Sequence, residues 1–280
     1  VSETKASDGS LDYAAPQIAP SFFGADPALE MMRLTSRIVM DRLPCDEFDF
    51  DDGITSIGYI HALSPDDAEG NLDEGAFLIE NRFINRLYIL GLGRKYKGQY
   101  ASPAIADDEP ACLEAQMSHS GFRVWRLRLN ERGVENFYIG ILRLEQPEYQ
   151  ARYYHTHAEA VSLVQLIKGD RSIARLFVVS SGWHIVRAAC EVVSQVIVQG
   201  LAGGDRFLPV YIVPAWESPA RAWTQKGLGS QSTVGAKTPL EELENELAKL
   251  KAYCAKGDLK TAQEILAYFD QRDALYPNAC

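Results

Sequence analysis

SIARLFVVSSGWHIVRAACEVVSQVIVQGLAGGDRFLPVYIVP, residues 172–214, is the stretch whose reading decides the fold. Ile173 to Val179 is a short apolar run, Trp183 to Leu201 carries apolar residues at helical spacing, and Phe207 to Val213 is a second apolar run. The pattern predicts strand, helix, strand. A rival reading has Asp170 capping one long helix from 171 to 201, because short buried strands and buried helix segments share a composition. Val178, Val179 and the Ser-Ser-Gly break favour the strand.

Upstream, Pro147 leads into a predicted helix that reaches Lys168, buries Val161, Val164, Leu166 and Ile167, and ends at Gly169. Before it, Trp125, Leu127 and Leu129 alternate with Val124, Arg126 and Arg128, the period of a half-buried strand. A turn over Asn130 to Asn136 and a return strand from Phe137 to Leu144 complete a hairpin. Strand and helix then alternate to 214, which predicts right-handed crossovers onto a shared sheet. The expected fold is α/β, a small mixed sheet with crossover helices occupying 121–223.

Around that core, residues 1–25 read as a disordered tail and 26–120 as an acidic, mostly helical section. Within the section, Asp26 and Pro27 start a helix that Pro44 stops, Thr55 to Ala62 reads as a strand, and 75–92 reads as a helix. The last of these turns Phe77, Phe83, Ile84, Leu87 and Leu90 inward, with Glu80 in the same stripe at a cost unless it is paired. The acidic run Asp46 to Asp52 is a solvated loop or, alternatively, a metal site or phosphate mimic. Residues 224–237 are a Gly/Ser-rich linker, and 238–280 a helical hairpin. Thr238, Pro239 and Glu241 form a capping box ahead of a stripe of Leu240, Leu243, Leu247, Leu250 and Cys254. Gly257 breaks that helix and Asp258 is expected to cap the next, with Leu259, Ala262, Ile265, Leu266 and Phe269 inward. The hairpin either folds back on its own domain or meets a protein partner or second copy.

Composition narrows the function classes. With 280 residues, 46% of them hydrophobic, the chain can bury a core; its net charge of -10 argues against a protein that is basic throughout. Residues 121–237 are nonetheless basic, with 14 Lys and Arg against 9 Asp and Glu. Five scattered cysteines without a CxxC pair fit a reducing compartment. Val1 to Ser10 lacks a signal-peptide pattern and no apolar run reaches spanning length, so a soluble, cytoplasmic chain without a membrane role is expected. Val1 fits a GTG start in a bacterial or phage gene, or a trimmed chain. No cofactor is expected: Gly-x-x-x-x-Gly-Lys-Ser/Thr and Gly-x-Ser-x-Gly are absent, and Gly91-x-Gly93 lacks a third glycine and follows a predicted helix.

Three constellations carry possible chemistry. Arg123, Arg126, Arg128, Arg132 and Arg143, with Trp125 among them, would place guanidinium groups and an aromatic on one ribbon suited to nucleic acid. Ser180, Ser181, Gly182 and His184 lie where a strand opens a helix, a place for anions and for acid–base work by an imidazole. His155 and His157 form a His-x-His pair that could hold a metal, with Glu159 or Asp170 as a third ligand, although on a helix their rings point apart. The leading expectation is an accessory or regulatory protein that contacts nucleic acid through the arginine hairpin and a partner or itself through 238–280. The alternatives are a nucleotide-binding or hydrolytic α/β enzyme using the Ser180 to His184 turn, and a structural assembly subunit.

Overall fold

Strands that are buried on both faces need no polar side, so they read as continuous apolar runs, and this chain builds its sheet from such runs. The structure, a computed structural model, describes residues 21–44, 55–61, 68–90, 138–142, 156–215 and 238–277. Its strands are β1 (Thr55–Ile60), β2 (Arg86–Leu90), β3 (Tyr138–Leu142), β4 (Ile173–Ser181), β5 (Ala202–Gly203), β6 (Arg206–Phe207) and β7 (Val210–Ala215). Its helices are α1 (Pro27–Val39), α2 (Ala68–Glu80), α3 (Thr156–Gly169), α4 (Ile185–Val198), α5 (Pro239–Ala255) and α6 (Ala262–Leu275). Five strands form one sheet in the order β3-β2-β1-β4-β7, and every pairing in it is parallel. The antiparallel share of the expected mix is confined to the small β5–β6 ladder.

Residues 172–214 fold as strand, helix, strand, so the single-helix alternative is excluded. Alternation along the strands divides the core. Ile57, Tyr59, Leu176, Val178, Val210 and Ile212 face α1, α3, α4, α5 and α6, while Ile60, Phe177, Val179, Tyr211 and Val213 face α2. The C-terminal helix pair is present as expected, and it folds back: Leu250, Cys254, Ile265 and Phe269 are buried in the larger core. Among the described residues, no helix is long and apolar enough to cross a membrane.

Several expectations need correction. The helix expected over 75–92 ends at Glu80; Arg82 turns the chain at φ 56° and Arg86–Leu90 is a strand. Leu87 and Tyr88 are buried, and Asn85 ties the start of the strand to β1 by accepting the Ser56 N–H on its side chain at 3.1 Å. Glu80 is exposed, and Phe77, at 43% exposure, does not turn inward. The sheet therefore draws β1 and β2 from the section expected to be mostly helical. Phe22 and Phe23, within the stretch expected to be a tail, are buried, and the Phe22 carbonyl accepts the Ala262 N–H; residues 1–20 lie outside the described residues. Thr261 rather than Asp258 caps α6, in a second capping box with Glu264. Gly257, at φ 82°, ends α5 as expected. The linker 224–237 and the first strand of the arginine hairpin lie outside the described residues; the return strand is β3, paired with β2.

The edge strand β7 would present unpaired amides and carbonyls, and side chains cover them. The Ile212 N–H donates to Asp41 Oδ2 at 2.8 Å, and the Val210 N–H donates to the Tyr268 hydroxyl at 2.9 Å. Tyr268 in turn donates to the Leu208 carbonyl, and Arg272 donates to the Val210 carbonyl. Arg272 grips Asp41 with both terminal nitrogens, at 2.8 and 2.6 Å, and Arg37 also donates to Asp41.

Candidate functional site

The order of the strands reverses between β1 and β4. The helix that follows β1 packs on one face and the helix that follows β4 on the other, so the carboxyl ends of these two strands form the topological switch point at which α/β sheets usually bind ligands. His61 directly follows β1 and is anchored there: its N–H donates to the Val179 carbonyl at 2.8 Å, and its carbonyl accepts the Ser180 hydroxyl at 3.1 Å. Its ring lies 5.6 Å from that of Tyr59 and 5.5 Å from that of His184, centroid to centroid. His184 comes from the turn after β4, so two imidazoles meet where the winding reverses.

Carboxylates from three helices surround them. Glu159, in the first turn of α3, accepts the Tyr59 hydroxyl at 2.6 Å and has Oε2 at 3.5 Å from His61 Nδ1. Glu246 of α5 has Oε2 at 2.7 Å from His184 Nδ1 and also accepts from Arg187 Nε. Glu191, one turn along α4 from Arg187, sits 3.4 Å from that guanidinium and 3.2 Å from His157 Nδ1. Tyr59, His61, Glu159, His184, Arg187, Glu191 and Glu246 are all buried. Several charges are thus held away from water, which is costly even when they are paired.

Burial and neighbours fix the protonation chemistry. Burial pushes His61 down to about 4, with His184 and Arg187 adding to the effect and Glu159 opposing it. The ring is therefore neutral at neutral pH, and its 3.5 Å approach to Glu159 is a contact between a neutral imidazole and a carboxylate, too long for a good hydrogen bond. Burial alone would raise Glu246, but His184 and Arg187 outweigh it and hold the carboxyl well below its usual range. Because a carboxylate only accepts, His184 must carry its proton on Nδ1, leaving Nε2 as the reactive nitrogen. His157 is raised, Glu191 overcoming the effect of burial. Neither nitrogen of His61 nor Nε2 of His184 has a hydrogen-bond partner among the described residues.

Of the residues singled out in the sequence, Ser180, Ser181, Gly182 and His184 lie at the carboxyl end of β4, and His184 belongs to the cluster. Ser180 spends its hydroxyl on the His61 carbonyl, and the Gly182 N–H donates to the Ala215 carbonyl at 3.1 Å. The negative group that His184 meets is Glu246 of the same chain. His157 begins α3 and pairs with Glu191, whereas His155 lies outside the described residues. Asp170 stands at the far end of α3, bonded to Ser172. Among the described residues, no group of three or more His, Cys, Asp or Glu side chains could hold a metal ion. Arg123, Trp125, Arg126, Arg128, Arg132 and Arg143 also lie outside the described residues. The sequence reading missed His61, Arg187, Glu191 and Glu246. Only His61 had a usable signal, as a polar residue closing the apolar run expected to be a strand. In comparisons with protein-family models, curated proteins and solved structures, nothing matches this chain.

Proposed function

We propose that the chain is an α/β enzyme that takes a small molecule at the carboxyl ends of β1 and β4 and moves protons on it with His184 and His61. One observation carries this reading: three imidazole nitrogens in a buried cluster at the reversal of strand order have no partner among the described residues. Buried polar atoms are nearly always bonded, so such a concentration calls for an explanation, and a ligand supplies one. Glu246 fixes the His184 tautomer as the acidic member of a catalytic triad does, presenting Nε2 as a general base that returns its proton to a leaving group. His61, kept neutral by burial, serves as an acceptor or as a polarising donor. Hydrolysis or group transfer on a nucleotide or a similar molecule fits both the topology and this pair. The nucleic-acid role expected of the arginine hairpin rests on residues that lie outside the described ones.

A melting-temperature panel of mononucleotides, nucleosides, sugar phosphates and carboxamides tests the proposal, run on the wild type, His61→Gln and His184→Gln. The expected result is one class that stabilises the wild type and fails to stabilise both variants. Equal stabilisation of all three proteins, or stabilisation of none, contradicts it.

A further inference from the structure

Away from that cluster, Asn71 is a further fully buried side chain with unpartnered polar atoms among the described residues. It is 0% exposed, and neither its amide nitrogen nor its amide oxygen has a hydrogen-bond partner among the described residues. Its position follows from its helix. Gly75, one turn further along α2, packs so closely on the end of β1 that a Cβ there would lie 3.5 Å from Ile60 Cδ1 and 3.2 Å from Leu87 Cδ2. The crossover from β1 makes α2 start beyond the carboxyl ends of the strands and run back along them. Asn71, about 5–6 Å nearer the start of α2, therefore lies past Ile60, at the level where β1 ends. His61 reaches that level from the opposite face of the sheet. Two unpartnered buried side chains thus flank the carboxyl end of β1, one on each face.

We infer that Asn71 is a recognition group for the ligand and that the ligand carries a planar amide-type edge. A carboxamide presents two donors and an acceptor side by side, and its natural complement is a neighbouring acceptor and donor in one plane. Nucleobases and carboxamides both carry such an edge, and asparagine pairs with adenine in this way. A sugar phosphate or a plain carboxylate does not. The inference rests on the proposed small-molecule site and narrows its ligand class.

The test compares wild type, Asn71→Leu and His61→Gln with adenosine, nicotinamide, ribose 5-phosphate and benzoate as probes, read as melting temperature and by titration calorimetry. Without a probe, Asn71→Leu melts no lower than the wild type, because leucine removes two unpaired polar atoms at similar volume. With adenosine or nicotinamide, whichever binds, Asn71→Leu loses about tenfold or more in affinity. Which of the two binds separates a nucleobase from a carboxamide ligand. A destabilised Asn71→Leu, or equal affinity in Asn71→Leu and wild type, overturns the role of Asn71; the wider site survives if His61→Gln still weakens binding. Binding of ribose 5-phosphate or benzoate alone also overturns the amide-edge assignment and leaves the site standing. Binding of no probe overturns both.

Discussion

Two ionic clusters, one centred on the buried Arg272–Asp41 pair and one on the buried His184–Glu246 pair, are built differently. At the β7 edge, Arg272, Asp41, Arg37 and Asp273 form a set in which the Arg272 nitrogens and both Asp41 oxygens meet several partners, the backbone of β7 among them. At the reversal of strand order, Glu246 is fully engaged, yet three ring nitrogens of His61 and His184 are not. The first cluster completes the hydrogen bonding of an edge strand that would otherwise offer itself to another chain. The second carries unpaired atoms that lower stability, a burden natural proteins tolerate where function needs it. Burial alone does not separate structure from site. The degree of satisfaction does.

Breaking the edge cluster should produce the largest effect. Arg272→Met takes from the buried Asp41 carboxylate its fully buried ion-pair partner, leaving it Arg37 and the Ile212 N–H, and should cost about 3–5 kcal/mol in urea unfolding, as for other severed buried pairs. The second effect is of pH. His61 is lowered to about 4, so the unfolded state binds a proton more readily than the folded one between about 6.5 and 4. Above pH 6.5 the ring is neutral in both states and this effect is nil; as pH falls to 4 it costs about 3 kcal/mol of stability. His157, raised, works the other way: its contribution is complete below its unfolded value and is lost as pH rises through its folded one. The acid limb of a stability–pH curve should therefore flatten in His61→Leu, and the loss of stability as pH rises through the folded value of His157 should disappear in His157→Gln. Tyr268→Phe sharpens the comparison from the edge side. It leaves the buried Val210 N–H without its acceptor and should cost about 1–3 kcal/mol.

Local chemistry was legible in the sequence wherever one segment decides its own structure. The Asp26-Pro27 and Thr238-Pro239-Glu241 starts, the Gly257 stop and the Ile173 strand all rest on neighbours in the chain. The expected helix over 75–92 failed because Leu87 to Leu90 satisfies a helical stripe and a parallel-sheet interior equally well, and the sheet supplied the partner strands. The site was half legible. His184 follows an apolar strand and precedes a helix, so its position could be read directly. Glu246 could not, because on α5 it looks like a solvated residue beside a leucine stripe. Only the return of the C-terminal hairpin onto α4 brings it to His184, 62 residues away in the chain.

Urea unfolding of His61→Leu beside Arg272→Met, at pH 7, measures the difference between the clusters most directly. A site kept at the expense of stability predicts that His61→Leu is unchanged or gains about 1 kcal/mol, while Arg272→Met falls by about 3–5 kcal/mol. A loss in His61→Leu as large as that in Arg272→Met would mean that the imidazole is a structural member of the core, and the account of the site would be wrong.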